Sequence, residues 1–451
     1  MSTFTALVDE ISRICPETIH GQVRAVIGMS LFAGGLQRAA GIGSRCRVYG
    51  RSGSVEAEAV GVQNDGLVLL PFGSWDGITA GDRVELISGG TQIFPNDSWI
   101  GTVVDALGVP ISRAQGRKRL GHGRGTRSSP PKTFDRRRVG EKLSTGITCI
   151  DVFTPLCRGQ RLGIFAGSGV GKSTLTAMLA RNTNVDVVVI GLVGERSREA
   201  REFIQDYLGD EGMARSVIVV STGDESPLLR RQAAWTATAV AEHFRSAGRQ
   251  VLLLIDSVTR FAMAQREIGL AGGEPPTTRG YPPTVFSELP HLLERAGPGP
   301  EKEGDITGIY TVLVEGDDMN EPVADSIRGI LDGHLVLDRK IAEQDRYPAI
   351  NVQRSISRML PDCHTPEEYR VMLAARRMLA RYADMEDLIR VGAYQIGSDK
   401  EVDIAVRFFR QANQFLSQSR TEKISQDESF AAIYRMVLEA GADDPLADLP
   451  Q

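Results

Sequence analysis

The sequence predicts an α/β protein organised on a parallel sheet, with a small β barrel before the sheet and a helical domain after it. Three observations carry this expectation. An apolar strand at 161–165 runs into the glycine-dense turn A-G-S-G-V-G-K-S and then directly into a helix-forming segment. From Gly159 onward apolar strands, at 161–165, 185–193, 216–221, 251–255 and 309–315, alternate with amphipathic helices, the pattern of a sheet covered on both faces. After Pro361 the strand signals stop and helical spacing continues to the end of the chain.

With 451 residues the chain is too long for one core. Four regions are expected: an amphipathic helix at 1–18, the barrel at 19–92, the phosphate-loop domain at 93–360 and the helical domain at 361–451. Lys and Arg total 52 against 57 Asp and Glu, a net charge of −5, which excludes a whole-chain role in coating nucleic acid. The five cysteines, at 15, 46, 149, 157 and 363, form no C-x-x-C and suit a reducing compartment. The six histidines form no metal-ligand cluster. There is neither a signal peptide nor an apolar run near the ~18 residues of a membrane span, so the sequence predicts a soluble, cytoplasmic protein.

In chain order, Phe4, Leu7, Val8, Ile11 and Ile14 stand at helical spacing before Pro16. So short a stripe either packs on its own domain or docks onto another protein. From 19 to 92, short Val- and Ile-rich runs broken by Gly predict the antiparallel barrel. Its arginines (24, 38, 45, 47, 51 and 83) are balanced by Glu56, Glu58, Asp65, Asp76, Asp82 and Glu85, leaving no electrostatic grip on nucleic acid. Between Arg113 and Arg138, ten basic residues accompany the single acid Asp135. This stretch is either a solvated loop or a surface for anionic lipid headgroups.

The turn at 166–173 carries the chemistry. Gly167, Ser168, Gly169, Val170 and Gly171 can wrap backbone N–H groups around phosphate oxygens, the glycines permitting positive φ. Lys172 brings a point charge to the β and γ phosphates, and Ser173 a hydroxyl for Mg²⁺. The helix from Thr174 aims the positive end of its dipole at the same anion. Two acids close later strands, where ligands lie in such sheets. Asp256 ends V-L-L-L-I-D and either holds Mg²⁺ or caps a turn. Glu195 ends V-V-V-I-G-L-V-G-E and either activates a water or pairs with Arg196 or Arg198.

Past these strands, Ser226-Pro227 opens a helix with Leu229, Trp235, Ala239 and Phe244 turned inward. The Gly- and Pro-dense stretch 272–300 reads as an irregular loop, at the surface or lining the centre of a ring. Thr365-Pro366-Glu367-Glu368 starts a helix in the last domain, where Val402, Val406, Phe409 and Leu416 mark a buried face.

Four long motifs, V-G-E-R-S-R-E-A-R-E-F, L-L-L-I-D-S-V-T-R-F-A-M-A-Q-R-E, G-E-P-P-T-T-R-G-Y-P-P and V-L-V-E-G-D-D-M-N-E-P-V-A-D, resemble the flagellar protein-export ATPases. That family groups with virulence-secretion ATPases and the catalytic subunits of rotary ATP synthases, and the likeness covers essentially the whole chain. The resemblance implies a RecA-like P-loop ATPase domain at 93–360 and a homo-hexameric ring with Mg-ATP between neighbours, energising export of unfolded flagellar subunits. It implies Lys172 and Ser173 on phosphate and Mg²⁺, Glu195 as the water-activating base and Asp256 as the second Mg²⁺ anchor. Arg196 and Arg260 would contact phosphate or the groups around it. Tyr347 in D-R-Y-P-A-I-N-V would stack on adenine, with Phe415 in Q-F-L-S-Q as a second wall. Arg358, ending S-I-S-R, would reach the neighbour's site. Where the synthase subunit has an aromatic after this stretch, Gln418 is followed by Ser419 and Arg420.

The implied partners are a regulatory stator-like protein on the N-terminal helix, export-gate membrane proteins, export chaperones, unfolded substrates and acidic lipid at the inner membrane, with no nucleic acid. Rival readings are a virulence-secretion ATPase, an RNA translocase, a silent ring subunit and a rotary synthase subunit. A charge-balanced barrel opposes the translocase, and Glu195 opposes the silent subunit. Glu195 and Arg358 in one chain oppose the synthase subunit, which takes its arginine from a different chain.

Overall fold

The computed structural model describes residues 18–88, 90–111, 123–314, 316 and 318–447. The expected helix at 1–15, the first part of the basic stretch and Glu315 lie outside the described residues. No described helix is long and apolar enough to cross a membrane.

Six strands, β1 (His20–Ile27), β2 (Ser30–Gly34), β3 (Arg45–Gly50), β4 (Gly53–Gln63), β5 (Gly66–Pro71) and β6 (Arg83–Ser88), close an antiparallel barrel in the order β1-β2-β5-β4-β3-β6. Alternation along the strands turns Val23, Leu31, Cys46, Val48, Leu69 and Val84 into one core. Outside, charges pair locally: Glu56 accepts from both Arg45 and Arg47, and Tyr49 donates to Glu85 at 2.6 Å. Two later segments, Glu225–Arg231 and Met263–Val285, belong to the same compact unit. Arg231 meets Glu58 at 2.6 Å, both side chains almost wholly buried.

The second unit is built on a nine-stranded sheet. Its first strand, β7 (Thr102–Asp105), has few residues and a sequence expectation missed it. Next come a short antiparallel pair, β8 (Lys142–Leu143) and β9 (Leu156–Cys157), joined through α1 (Thr148–Phe153), and then the central strand β10 (Arg161–Ala166). β11 (Val187–Glu195), β12 (Ser216–Thr222), β13 (Val251–Asp256) and β14 (Asp305–Leu313) match four expected strands, shifted by a few residues. β15 (Gly333–Val336) and β16 (Ile356–Ser357) complete one edge. The order is β16-β15-β10-β14-β13-β11-β12-β7, parallel throughout except for β16, with Gly297–Pro298 added beside β14. Every residue of β13 is buried, as a sheet covered on both faces demands.

Helix α2 (Lys172–Asn182) follows the phosphate loop, α3 (Pro227–Ser246) follows β12, and α4 (Val258–Ala271) follows β13. In α3, Trp235, Ala239 and Phe244 are buried as expected, but Leu228 rather than Leu229 takes the fully buried position. The 272–300 expectation holds only in part. Residues 275–279 are exposed, whereas α5 (Pro283–Leu293) is a helix with Val285, Leu289 and Leu292 inward. Pro283 fits its first turn, and the apolar spacing outweighs the cost of Pro290.

The last region holds α6 (Pro366–Arg390), α7 (Lys400–Phe415) and α8 (Gln426–Glu439). Capping boxes at Thr365/Glu368 and Ser425/Glu428 start α6 and α8. The buried stripe of α7 is Val402, Ala405, Phe408 and Ala412, continued by Leu416. Phe409 is only partly buried because it stacks on Tyr382 of α6, centroids 3.6 Å apart, and Val406 is likewise partial. Phe408, Phe430, Ile433 and Val437 share one core with Ile150 and Phe153 of α1.

In the described part of the basic stretch, from residue 123, four arginines have partners within the chain. Arg124 and Arg127 pair with Glu242 and Glu288, and Arg127 also lies over the Trp235 ring. Arg136 donates to the carbonyls of Glu294 and Ala296, and Arg137 meets Asp305 at 2.6 Å. Beneath them Arg295 and Glu242, both buried, form a two-pronged pair at 2.8 and 2.9 Å, and Ser128 donates to Glu242 at 2.9 Å.

Candidate active site

The carboxyl ends of β10, β11 and β13 converge on Lys172. The phosphate loop leaves β10 at Ala166, and its amide geometry is fixed by two left-handed glycines, Gly169 (φ 77°) and Gly171 (φ 93°). Gly167 does not use positive φ. A side chain on Gly171 would come within 3.2 Å of the Tyr347 ring, so glycine there serves both the turn and the approach of that ring. Arg339, which sequence reasoning missed, donates to the Ser168 carbonyl at 3.2 Å. Val170 is buried beneath the loop, while Ser173 and Thr174 occupy the half-exposed first turn of α2.

Lys172 Nζ lies 2.5 Å from Asp256 Oδ1 and 3.1 Å from Glu195 Oε1. Burial works against the ammonium, but the Asp256 and Glu195 charges outweigh it and hold the Lys172 pKa above its ordinary value. Burial foremost, and then the Asp256 charge, raise the Glu195 carboxyl above the usual range against the pull of Lys172. The alternative pairing of Glu195 with Arg196 or Arg198 does not occur. Arg196 is largely exposed and pairs with Glu199 at 3.2 Å, and Arg198 pairs with Glu202 at 2.9 Å. Asp256 Oδ1 also accepts from Thr311 Oγ1 at 2.7 Å. Thr311 carried no sequence signal, since a β-branched residue inside a strand reads as packing. Arg260 stands in the first turn of α4, its amide donating to Ser257 Oγ at 3.3 Å.

The two aromatic candidates are placed differently. Tyr347 lies against the phosphate loop and is 36 % exposed. Phe415 lines a groove with Gln411, Met436 and Glu439 of the C-terminal helices and Ile424 of the connection between α7 and α8. Backbone and amide contacts connect these regions: Gln418 N–H donates to the Tyr347 carbonyl at 2.7 Å. The Gln418 side chain accepts from Thr148 N–H at 2.8 Å and donates to the Gly146 carbonyl at 3.0 Å.

Arg358 is not with the others. Its amide donates to the Asp332 carbonyl, and the Asp332 amide to the Arg161 carbonyl, both at 2.9 Å. Because β15 runs parallel to β10 and β16 returns antiparallel, Arg358 stands level with Arg161 at the amino ends of the strands. The phosphate loop begins five residues along β10, roughly 17 Å away at ~3.3 Å per residue. Arg358 is exposed on the sheet edge, beyond reach of its own loop.

A phosphate loop whose lysine faces two carboxylates at neighbouring strand ends suits nucleotide hydrolysis. Two families match the chain in succession: the nucleotide-binding domain of the ATP synthase alpha/beta family over residues 146–357 and the T3SS EscN ATPase C-terminal domain over 364–435. The flagellum-specific ATP synthase of Caulobacter vibrioides is 49% identical over 439 residues, covering 95% of this chain and 98% of its own. The chain belongs to the flagellar and type III secretion ATPase family. Its structure is similar to that of the assembled ATPase EscN from enteropathogenic E. coli, with a TM-score of 0.85, 38% identity and coverage of 92% of this chain and 100% of EscN. EscN in complex with its central stalk EscO gives a TM-score of 0.84 at 37% identity, with the same coverage. The chain is therefore an ATPase, binding and hydrolysing ATP.

Proposed function

We propose that this ATPase energises flagellar type III protein export as a homo-hexameric ring whose ATP sites lie between subunits, at the cytoplasmic face of the inner membrane. The observation that carries the reading is the position of Arg358. An arginine on an exposed edge, at the far end of the strands from its own phosphate loop, is out of reach of its own site and open to a neighbour's. Within one site, the loop amides of 167–171, Lys172 and Thr174 hold the phosphates, and Lys172 exchanges its carboxylate partners for phosphate oxygens. Glu195 takes a proton from the water that attacks the γ phosphorus as the bond to the bridging oxygen breaks. The neighbour's Arg358 offsets the charge that develops. Tyr347 stacks on adenine, Phe415 closes the far side, and Arg196 and Arg260 support the phosphates.

Ser173 and Asp256 suit Mg²⁺ because both offer hard oxygen donors beside the loop, and Mg²⁺ usually takes only one or two protein oxygens alongside phosphate. Bound there, the ion supplies charge neutralisation across the phosphate oxygens.

A secretion ATPase of the virulence type is the second reading, supported by the likeness to EscN. The flagellar reading is preferred because identity to the Caulobacter flagellar protein, 49%, exceeds the 44% to the type 3 secretion ATPase of Xanthomonas euvesicatoria. That EscN is found in complex with its central stalk EscO supports a regulatory partner here as well, and we assign a stator-like regulatory protein to the N-terminal helix. Export-gate proteins, chaperones, unfolded substrates and acidic lipid complete the proposed surroundings.

Subunit mixing tests the ring. Arg358→Ala and Glu195→Gln should each bind ATP and be nearly inactive, Arg358→Ala by ~10³ or more. Their mixture should recover part of the wild-type rate, because some interfaces pair an intact Glu195 with an intact Arg358. Wild-type specific activity should rise with protein concentration as rings form. A dead mixture and a flat concentration profile would overturn the proposal.

A further inference from the structure

Thr311 stands near the carboxyl end of β14, between Tyr310 and Val312, and is buried. Ile164 of β10 lies opposite Thr311 on one side, and Ile255 of β13 lies opposite Tyr310 on the other, which sets Asp256 beside Thr311. The end of β14 is pinned twice more. The Leu313 amide donates to Thr259 Oγ1 in the first turn of α4 at 2.9 Å, and the Val314 amide to the Ala166 carbonyl, where the phosphate loop begins, at 3.0 Å. A hydroxyl in so closed a place costs free energy unless an acceptor takes it, and here the acceptor is Asp256 Oδ1 at 2.7 Å.

We propose that Thr311 is a positioning residue for the ATPase reaction, holding the Asp256 carboxylate in place when nucleotide draws Lys172 away. The inference rests on the reading of Asp256 as a Mg²⁺ anchor and of Lys172 as a phosphate ligand. Asp256 Oδ1 accepts from two donors, Lys172 Nζ at 2.5 Å and Thr311 Oγ1. They differ in charge and in freedom. Lys172 is a cation on a flexible four-carbon stem, so a phosphate can recruit it. Thr311 carries no charge, and its hydroxyl hangs on a stiff β-branched side chain from a pinned strand. A phosphate therefore takes the first donor and leaves the second. With Thr311 still donating to Oδ1, the almost wholly buried Asp256 keeps its orientation instead of turning toward a new donor. Valine would fill the same space and offer no donor.

The test compares full-length Thr311→Val, Thr311→Ser and Asp256→Asn with the wild type. Calorimetry gives the affinity for AMP-PNP, an ATP analogue that resists hydrolysis, in excess magnesium and in EDTA, while steady-state assays give kcat and KM. In Thr311→Val the affinity in EDTA should match wild type, because the loop amides and Lys172 remain to hold the phosphates. The gain in affinity from magnesium should fall by roughly tenfold or more, and kcat by ~10- to 100-fold, as for a lost hydrogen bond to a charged group. Thr311→Ser packs less well than Thr311→Val yet keeps the hydroxyl, so it should recover most of both. An unchanged magnesium effect in Thr311→Val would overturn the proposal. So would a Thr311→Ser no better than Thr311→Val, or an affinity in EDTA that falls as well, since either assigns Thr311 to packing. Asp256→Asn separates the proposal from the reading beneath it. If that variant keeps the magnesium effect, Asp256 is no anchor and both fall; if it loses the effect while Thr311→Val keeps it, only the role of Thr311 falls.

Discussion

The Lys172 ammonium lies 3.1 Å from Glu195 Oε1, so the proposed phosphate ligand and the proposed base neutralise one another across two strand ends. Any phosphate that recruits Lys172 must draw it away from this carboxylate. Glu195→Gln should therefore bind Mg-ATP at least as tightly as wild type, while hydrolysis falls by ~10² to 10⁴. Calorimetry and steady-state rates measure the two effects separately, and a rate within a few-fold of wild type would reassign Glu195 to structure.

Burial and the Asp256 charge raise the Glu195 pKa, which sets the sign of the acid limb. Protonated Glu195 cannot accept a proton, so kcat/KM should rise with pH through a midpoint above the ordinary glutamate value. The residual activity of Glu195→Gln should show no such limb. A profile with its acid midpoint at or below the ordinary value would count against the assignment.

Lys172→Ala removes the cation shared by two buried or half-buried acids as well as the phosphate contact. ATP affinity should fall by at least tenfold by calorimetry. In the absence of nucleotide, Asp256 and Glu195 then repel across the site, and the variant should melt lower than Lys172→Ala/Glu195→Gln. Unchanged affinity would remove Lys172 from phosphate binding.

The buried Arg295–Glu242 pair makes a prediction about the fold alone. Glu242→Ala leaves the guanidinium unpaired in the core and should destabilise the second unit by about 3 to 5 kcal/mol in denaturant unfolding. Although burial raises it, hydrogen bonds and charge from Arg295 bring the Glu242 pKa below its ordinary value. Its stabilisation is full above the unfolded glutamate pKa and is lost as pH falls through the depressed native one. The variant's deficit should shrink on acidification over that window.

The loop, Glu195 and Asp256 were legible because each sits where an apolar run ends, and period and composition both mark that point. The motifs around Tyr347 and Arg358 were legible only through resemblance. Their geometry was not, since Arg358 gains its meaning from an antiparallel edge strand of two residues. The partners of Arg124, Arg127 and Arg137 were not legible because a charge run shows none locally, and the acids they meet lie more than a hundred residues on. Phe408 and Phe409 are adjacent on one helix, and only the position of Tyr382 decides which of them faces the core.

The barrel closes its hydrogen bonds entirely within His20–Ser88, whereas β7 pairs with β12, whose first residue is Ser216. During synthesis the barrel is complete early. The edge of β7 then waits while roughly 110 further residues are made, about 6 to 22 s at ribosomal rates of ~5–20 residues per second. Throughout that interval a nascent chain carries a barrel whose strands are all made but whose buried Glu58 still lacks Arg231, followed by an unpaired strand exposed to edge-to-edge pairing.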